Sequence, residues 1–189
     1  MSKTNAAAGK ALTSSRSLHG NHFELFGLQP AFALDTEALE RAYREIQSRV
    51  HPDRFAHAGD AERRASLQWT TRVNEAYRAL KSPVQRASHI LSLQGVDVAF
   101  ETNTAMPSQF LMQQMELRET LEDAVATKNL PALASLQSKL DEDKRSLEAQ
   151  IASAIDEKKD YERASGLVRE LQFLEKLEAQ IDAAYEVLE

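Results

Sequence analysis

His51-Pro52-Asp53 is the tripeptide whose residue types and order could do chemistry. A proline directly after a helical stripe ends the helix and drives the preceding residue into extended geometry. One imidazole and one carboxylate are then held on an exposed turn. Arginines precede them: Arg41 and Arg44 fall opposite the apolar stripe of the same segment, and Arg49 on its flank. A carboxylate beside a basic helix face is equipped to dock on another macromolecule. No nucleophile or metal-ligand cluster accompanies it, so acid–base or nucleophilic catalysis has no constellation to work with. The plain alternative is a turn in which Asp53 bonds its own backbone.

A second candidate lies after Pro107. Projected at 100° per residue, Phe110, Leu117, Leu121, Ala124 and Val125 share one side, enough to close a bundle. Leu111, Met112 and Met115 fall on another side, among Glu116, Arg118, Glu119 and Glu122. Methionines mixed with acids are suited to an adaptable binding surface; the alternative is a wide core stripe gripped from two directions. Phe173 points away from the Leu167-Leu171-Leu174 stripe of the last helix, beside Arg169 and Lys176. It joins the same patch if the first and last helices of the bundle are neighbours. Covered by those two stems, it is an ordinary exposed aromatic.

Both candidates need helices to hold them. Glycine and proline fall mostly at joints, and no segment sustains a period of two, so the fold class is all-α. A short helix is expected over about Asn21–Leu25, ending at Gly27. The next opens at Asp35 or Thr36 with the stripe Leu39, Tyr43, Ile46 and Val50, and stops at His51-Pro52. A return helix over about Asp60–Lys81 carries Trp69, Val73, Ala76 and Leu80, which leaves the tripeptide at one tip of an antiparallel pair. Ser82-Pro83-Val84-Gln85 opens another helix, ending near Gly95. Residues 96–106 lack a stripe and are the expected joint. Three long helices follow, about 107–127, 130–158 and 160–188, and their short connections predict an antiparallel bundle.

Composition narrows the classes further. The chain has 189 residues, 42% hydrophobic and 28% charged, with a net charge of −6. An acidic chain with one modest basic patch is poorly equipped for nucleic acid, where lysine and arginine supply most of the affinity. There is no cysteine, which excludes disulfides, thiol chemistry and cysteine-ligated clusters within this chain. No stretch has the apolar length of a membrane span. Residues 1–20 read as a disordered tail with three basic residues and no acid; an organellar transit peptide is the alternative. His19, His22, His57 and His89 lack metal-ligand spacing, and His22 and His57 are expected at the surface or as caps. The run Asp141-Glu142-Asp143-Lys144-Arg145 is expected to be a solvated helix face.

Residues 22–81 resemble a J-domain: His22-Phe23-Glu24-Leu25-Phe26-Gly27-Leu28, then Ala42-Tyr43-Arg44, His51-Pro52-Asp53-Arg54-Phe55 and Asn74-Glu75-Ala76-Tyr77-Arg78-Ala79-Leu80. The resemblance implies docking on a seventy-kilodalton heat-shock chaperone (DnaK class), whose ATPase it stimulates. Arg41, Arg44 and Arg49 would steer the encounter, Asp53 would pair with a chaperone arginine, and His51 and Pro52 would position it. Glu40 and Glu45 dilute the charge of that face.

From about residue 21 onward the chain is similar to the HscB family, the J-proteins of iron–sulfur cluster assembly. Phe110-Leu111-Met112-Gln113-Gln114-Met115-Glu116-Leu117-Arg118-Glu119, Leu91-Ser92-Leu93-Gln94-Gly95 and Leu171-Gln172-Phe173-Leu174 carry that likeness. It implies an L-shaped, all-α protein: a J-domain over 21–95, a linker over 96–106 and a three-helix bundle over 107–189. The bundle would bind the scaffold protein IscU through Leu111, Met112, Met115, Glu116, Glu119 and Phe173. Met115 stands where a leucine is common in the family. The chaperone partner would be of the HscA class, the protein itself would be no enzyme and hold no cofactor, and the bacterial cytosol would be its compartment. A general J-protein for unfolded clients and a helical adaptor are the competing readings.

Overall fold

The computed structural model describes residues 20–100 and 106–188. Residues 1–19 and 101–105, covering nearly all of the expected tail and half of the expected joint, lie outside the described residues. Every regular element described is helical. The chain divides into two compact units, residues 1–89 and 90–189. That division falls inside a helix, upstream of 96–106.

In the first unit, α1 is His22–Phe26, α2 is Thr36–Val50 and α3 is Asp60–Lys81, with a 3-10 turn over Pro52–Phe55 after α2. Five residues are too few for a helix to persist alone, and α1 is held at both ends. The Asn21 side chain accepts from the Glu24 N–H at 2.9 Å and Glu24 accepts from the Asn21 N–H at 3.0 Å. Gly27, at φ 69°, supplies the left-handed cap that a side chain would strain. Phe23, Leu25 and Phe26 are thereby buried.

Asp35 caps α2 by accepting from the Ala38 N–H at 2.9 Å. The pairs Tyr43–Asn74 and Val50–Ser66 show that α2 and α3 run antiparallel. Between them, Leu39, Ile46 and Val50 meet Trp69, Val73, Ala76 and Leu80, all at most 6% exposed. Tyr43 is only partly buried. Its ring stacks on Tyr77 with centroids 4.1 Å apart, and its hydroxyl donates to Asn74 Oδ1 at 3.0 Å.

Helix α4, Pro83–Leu93, carries the division between His89 and Ile90. Ser82 Oγ accepts from the Gln85 N–H at 3.3 Å, half of the expected capping box. Gly95, at φ 77°, closes the helix as the Val96 N–H reaches back to the Leu91 carbonyl at 2.9 Å.

In the second unit, α5 is Ser108–Ala126, α6 is Leu130–Ala152 and α7 is Tyr161–Leu188. All three pack on one another. Leu133, Leu136, Leu140, Leu147 and Ile151 of α6 meet Ala164, Leu167, Val168, Leu171, Leu174, Leu177 and Ile181 of α7, each at most 9% exposed. The helix expected to continue to 158 changes character at Ser153, where a six-residue π-helical turn runs to Lys158. Its wider coil keeps Ala154 and Ile155 buried beside Ile151, and Lys159, at φ 55°, ends it. Residues 96–100 belong with this unit: Val98 is buried, and Arg169 Nη1 donates to its carbonyl at 3.0 Å. A segment without a helical stripe is thus tied down by one arginine 71 residues away.

Candidate functional site

Two surfaces carry the residues singled out above. The first is the tip of the α2–α3 hairpin. His51 caps α2 at φ −55°, ψ 129°, the extended geometry a following proline imposes. Its N–H still closes the last turn on the Gln47 carbonyl at 3.0 Å. Behind it, the end of α2 is pinned to α3: Ser66 Oγ and Thr70 Oγ1 both donate to the Val50 carbonyl, at 2.6 and 3.3 Å. Helix-end carbonyls need such partners, and here they fix where the turn begins.

Within the turn, His51 Nδ1 accepts from the Asp53 N–H at 3.3 Å and lies 3.6 Å from Asp53 Oδ2. Arg54 folds back, its Nη1 donating to the Ser48 carbonyl at 2.7 Å. The Asp53 carboxylate is 90% exposed, and His51 is its only ion-pair contact among the described residues. The turn does contain the local backbone bond expected of an ordinary turn, but His51 makes it, which leaves the carboxylate of Asp53 directed outward.

On the outer face of α2 each arginine has an acid one turn earlier. Arg41 lies 3.4 Å from Glu37, Arg44 2.9 Å from Glu40 and Arg49 2.6 Å from Glu45. Asp35 and Lys81 extend the network at 3.9 Å to Arg41 and Glu40. The acids that dilute this face are therefore ion-paired to its bases. Exposed i,i+4 pairs are worth only about 0.3–0.5 kcal/mol, so a partner carboxylate can exchange with them.

The second surface is on α5. Leu111, Met112 and Met115 are 42%, 59% and 62% exposed, while Phe110, Leu117, Leu121 and Ala124 of the same helix are buried. Glu116 and Glu119 are exposed beside them. Helices α5 and α7 are neighbours, and the meeting point near the patch is aromatic: Phe110 and Phe173 pack edge to face, centroids 6.3 Å apart. Phe173 is partly buried, with Lys176 Nζ 5.6 Å from its ring. Arg169, the other stem expected over it, turns instead to Val98 and Ser165.

Other readings from the sequence need correcting. His22 is half-buried rather than a free surface or capping residue. Its ring stacks on His89 at 4.0 Å, and its N–H donates to His89 Nε2 at 3.1 Å. Burial, then His89 and Arg72, lower its pKa to about 4, and burial, then Arg72, lowers that of His89. Both rings are neutral packing elements near neutral pH. Lys144 is not simply solvated, since it bridges α6 to α7 by reaching Glu178 at 2.6 Å. Gln114, a polar residue at a core position, is only 7% exposed. Its place on the Phe110–Leu117 side of the helical projection was the available signal. Among the described residues no group of acids and histidines is placed to hold a metal, and no helix is long and apolar enough to cross a membrane.

A helical hairpin presenting His-Pro-Asp at its tip, followed by a helical bundle, defines a J-domain-type protein with an appended all-helical unit. Residues 106–182 match the family model described as HSCB C-terminal oligomerisation domain. Over 173 residues the chain is 50% identical to the co-chaperone protein HscB homolog of Burkholderia vietnamiensis and 51% to that of Burkholderia thailandensis, covering 92% of this chain and 98% of each relative. The chain belongs to the HscB co-chaperone family, and it is a co-chaperone rather than an enzyme. Among solved structures, chaperone HscB from Vibrio cholerae is 35% identical with a TM-score of 0.79, over 90% of this chain and all of that one. The human co-chaperone HscB is 27% identical with a TM-score of 0.83, over 89% of this chain and 84% of that one.

Proposed function

We propose that this co-chaperone binds an IscU-type iron–sulfur scaffold through its bundle, presents it to an HscA-class chaperone and stimulates ATP hydrolysis there. The observation that carries the reading is the pairing of two exposed features in one chain. One is an outward carboxylate on a rigid turn beside arginines; the other is a cluster of exposed leucine and methionine side chains framed by acids.

At the first surface Asp53 meets a chaperone arginine, with His51 holding the turn through the Asp53 N–H. Arg41, Arg44 and Arg49 exchange their intrahelical acids for chaperone carboxylates, which sets orientation and association rate more than final affinity. At the second, Leu111, Met112, Met115 and Phe173 supply apolar contact, while Glu116 and Glu119 form a polar rim. The nascent cluster is cargo on the scaffold, whose own groups hold it, because this chain has no cysteine. One chain bound to both partners raises the effective concentration of each at the other. ATP hydrolysis then tightens the chaperone on the scaffold and aids cluster transfer. The work is set in the bacterial cytosol, with a J-domain over 21–95 and the scaffold-binding bundle over 107–189.

Phosphate release by an HscA-class chaperone, measured with and without IscU while this protein is titrated in, tests the reading. Stimulation that rises further when scaffold is present is expected. Stimulation by denatured peptides in place of the scaffold would favour a general J-protein.

A further inference from the structure

Where the three bundle helices meet, the surface opens into a cleft of about 200 Å³. That is room for several waters, and so for a terminal ammonium or guanidinium with part of its stem. Phe110 of α5 and Leu174 of α7 give it an apolar wall, and Gln114, Asp143, Gln150 and Glu170 line the rest.

Its polar groups are unmatched. Gln114 is 7% exposed, and its amide makes no hydrogen bond among the described residues. Its amide atoms are not sealed from solvent, so they open onto the cleft, where a ligand can reach them. Glu170 is half-buried and takes part in no ion pair among the described residues; burial pushes its carboxyl up, against a smaller opposing pull from Arg169. Asp143 is likewise unpaired. The neighbouring cations are committed elsewhere, Arg169 to the Val98 carbonyl and Lys144 to Glu178. No lysine or arginine lines the cleft. Two carboxylates and an amide with no protein partner, all lining one opening, are complementary to a hydrogen-bonding cation. Such a group satisfies the carboxylates by charge-assisted bonds and the amide oxygen by a further N–H.

We infer that this cleft seats a lysine or arginine side chain of the protein held at the α5–α7 patch. The inference rests on the scaffold-binding reading above. Continuity links the two: Phe110 forms a wall of the cleft and packs against Phe173 of the patch. The apolar patch supplies contact area, and the cleft fixes register by requiring a base at one place on the partner.

The test is calorimetric titration of the full chain with IscU at low and at high salt, for wild type, Glu170→Gln with Asp143→Asn, and Leu111→Ala. Loss of the two charges is expected to weaken binding roughly tenfold at low salt and to flatten the salt dependence. Leu111→Ala is expected to weaken binding with the salt dependence kept. The melting temperature of the Glu170→Gln/Asp143→Asn protein should not fall, because a desolvated, unpaired charge has been removed. In the wild type, the Gln114 side-chain amide resonances should shift when scaffold is added. If wild type binds and the charge-free variant binds within twofold with the same salt dependence, the cleft is not a cation seat. If wild type does not bind, the scaffold reading itself fails and this inference falls with it.

Discussion

Truncating Leu111 and Met115 together separates a binding surface from a core. Leu111 is 42% exposed and Met115 62%. Fully burying such a side chain yields about 1.5–3 kcal/mol, so covering only the exposed fraction gives roughly 0.6–1.3 kcal/mol for Leu111 and roughly 0.9–1.9 kcal/mol for Met115. The double alanine variant should therefore lose about 1.5–3 kcal/mol of scaffold binding, or about 10- to 150-fold in Kd. By the same proportion the already buried fractions put the cost to folding at about 1.5–3 kcal/mol for the two sites together, or about 0.7–1.5 kcal/mol per site. Leu171→Ala is the control. That residue is 0% exposed, and its truncation should cost about 2–5 kcal/mol of stability. Calorimetric titration against IscU and urea denaturation provide the two readouts. The surface assignment is refuted if the double variant binds within twofold of wild type, or if its loss of stability per truncated site equals that of Leu171→Ala.

Asp53→Asn keeps the shape of the turn and removes its charge, so chaperone ATPase stimulation should vanish while the affinity for IscU is unchanged. Ser66→Ala takes one of two donors from the Val50 carbonyl; it should cost about 1 kcal/mol of stability and reduce stimulation more than scaffold binding. Asn74→Ala breaks the Tyr43 bond between α2 and α3 and should cost about 1–2 kcal/mol, read from urea midpoints. For pH, His22 falls from 6.5 unfolded to about 4 folded, chiefly by burial. A depressed histidine favours folding while both states are neutral, so the first unit should lose stability as pH falls from about 6.5 towards 4. Glu170 and Glu175, raised mainly by burial, act in the opposite direction in the second unit. The single tryptophan, Trp69, lies in the first unit, so its fluorescence during denaturation at pH 7.5 and 5 isolates the histidine effect.

Helix periodicity made most of the fold legible. The stripes of α2, α3 and α6 were readable because each residue needs only neighbours three or four positions away to declare its side. The exposure of Leu111, Met112 and Met115 followed from the same projection. Contacts between distant residues had no local signature: His22 with His89, Arg169 with Val98, Lys144 with Glu178. Each depends on which helices become neighbours, which periodicity does not specify. The π turn at Ser153–Lys158 was hidden because one extra residue per turn leaves composition unchanged. The ion pairs of α2 lay at readable i,i+4 spacing. The cleft around Gln114 did not, since its walls come from three helices.

The proposed function requires two surfaces working within a single molecule. Phosphate release by an HscA-class chaperone with IscU should be measured for wild type and for an equimolar mixture of two full-length variants. One is Asp53→Asn, which keeps the scaffold surface; the other is Leu111→Ala with Met115→Ala, which keeps the chaperone surface. The mixture should fall well short of wild type, because neither molecule joins both partners. Equal stimulation by the mixture and by wild type would contradict the coupling.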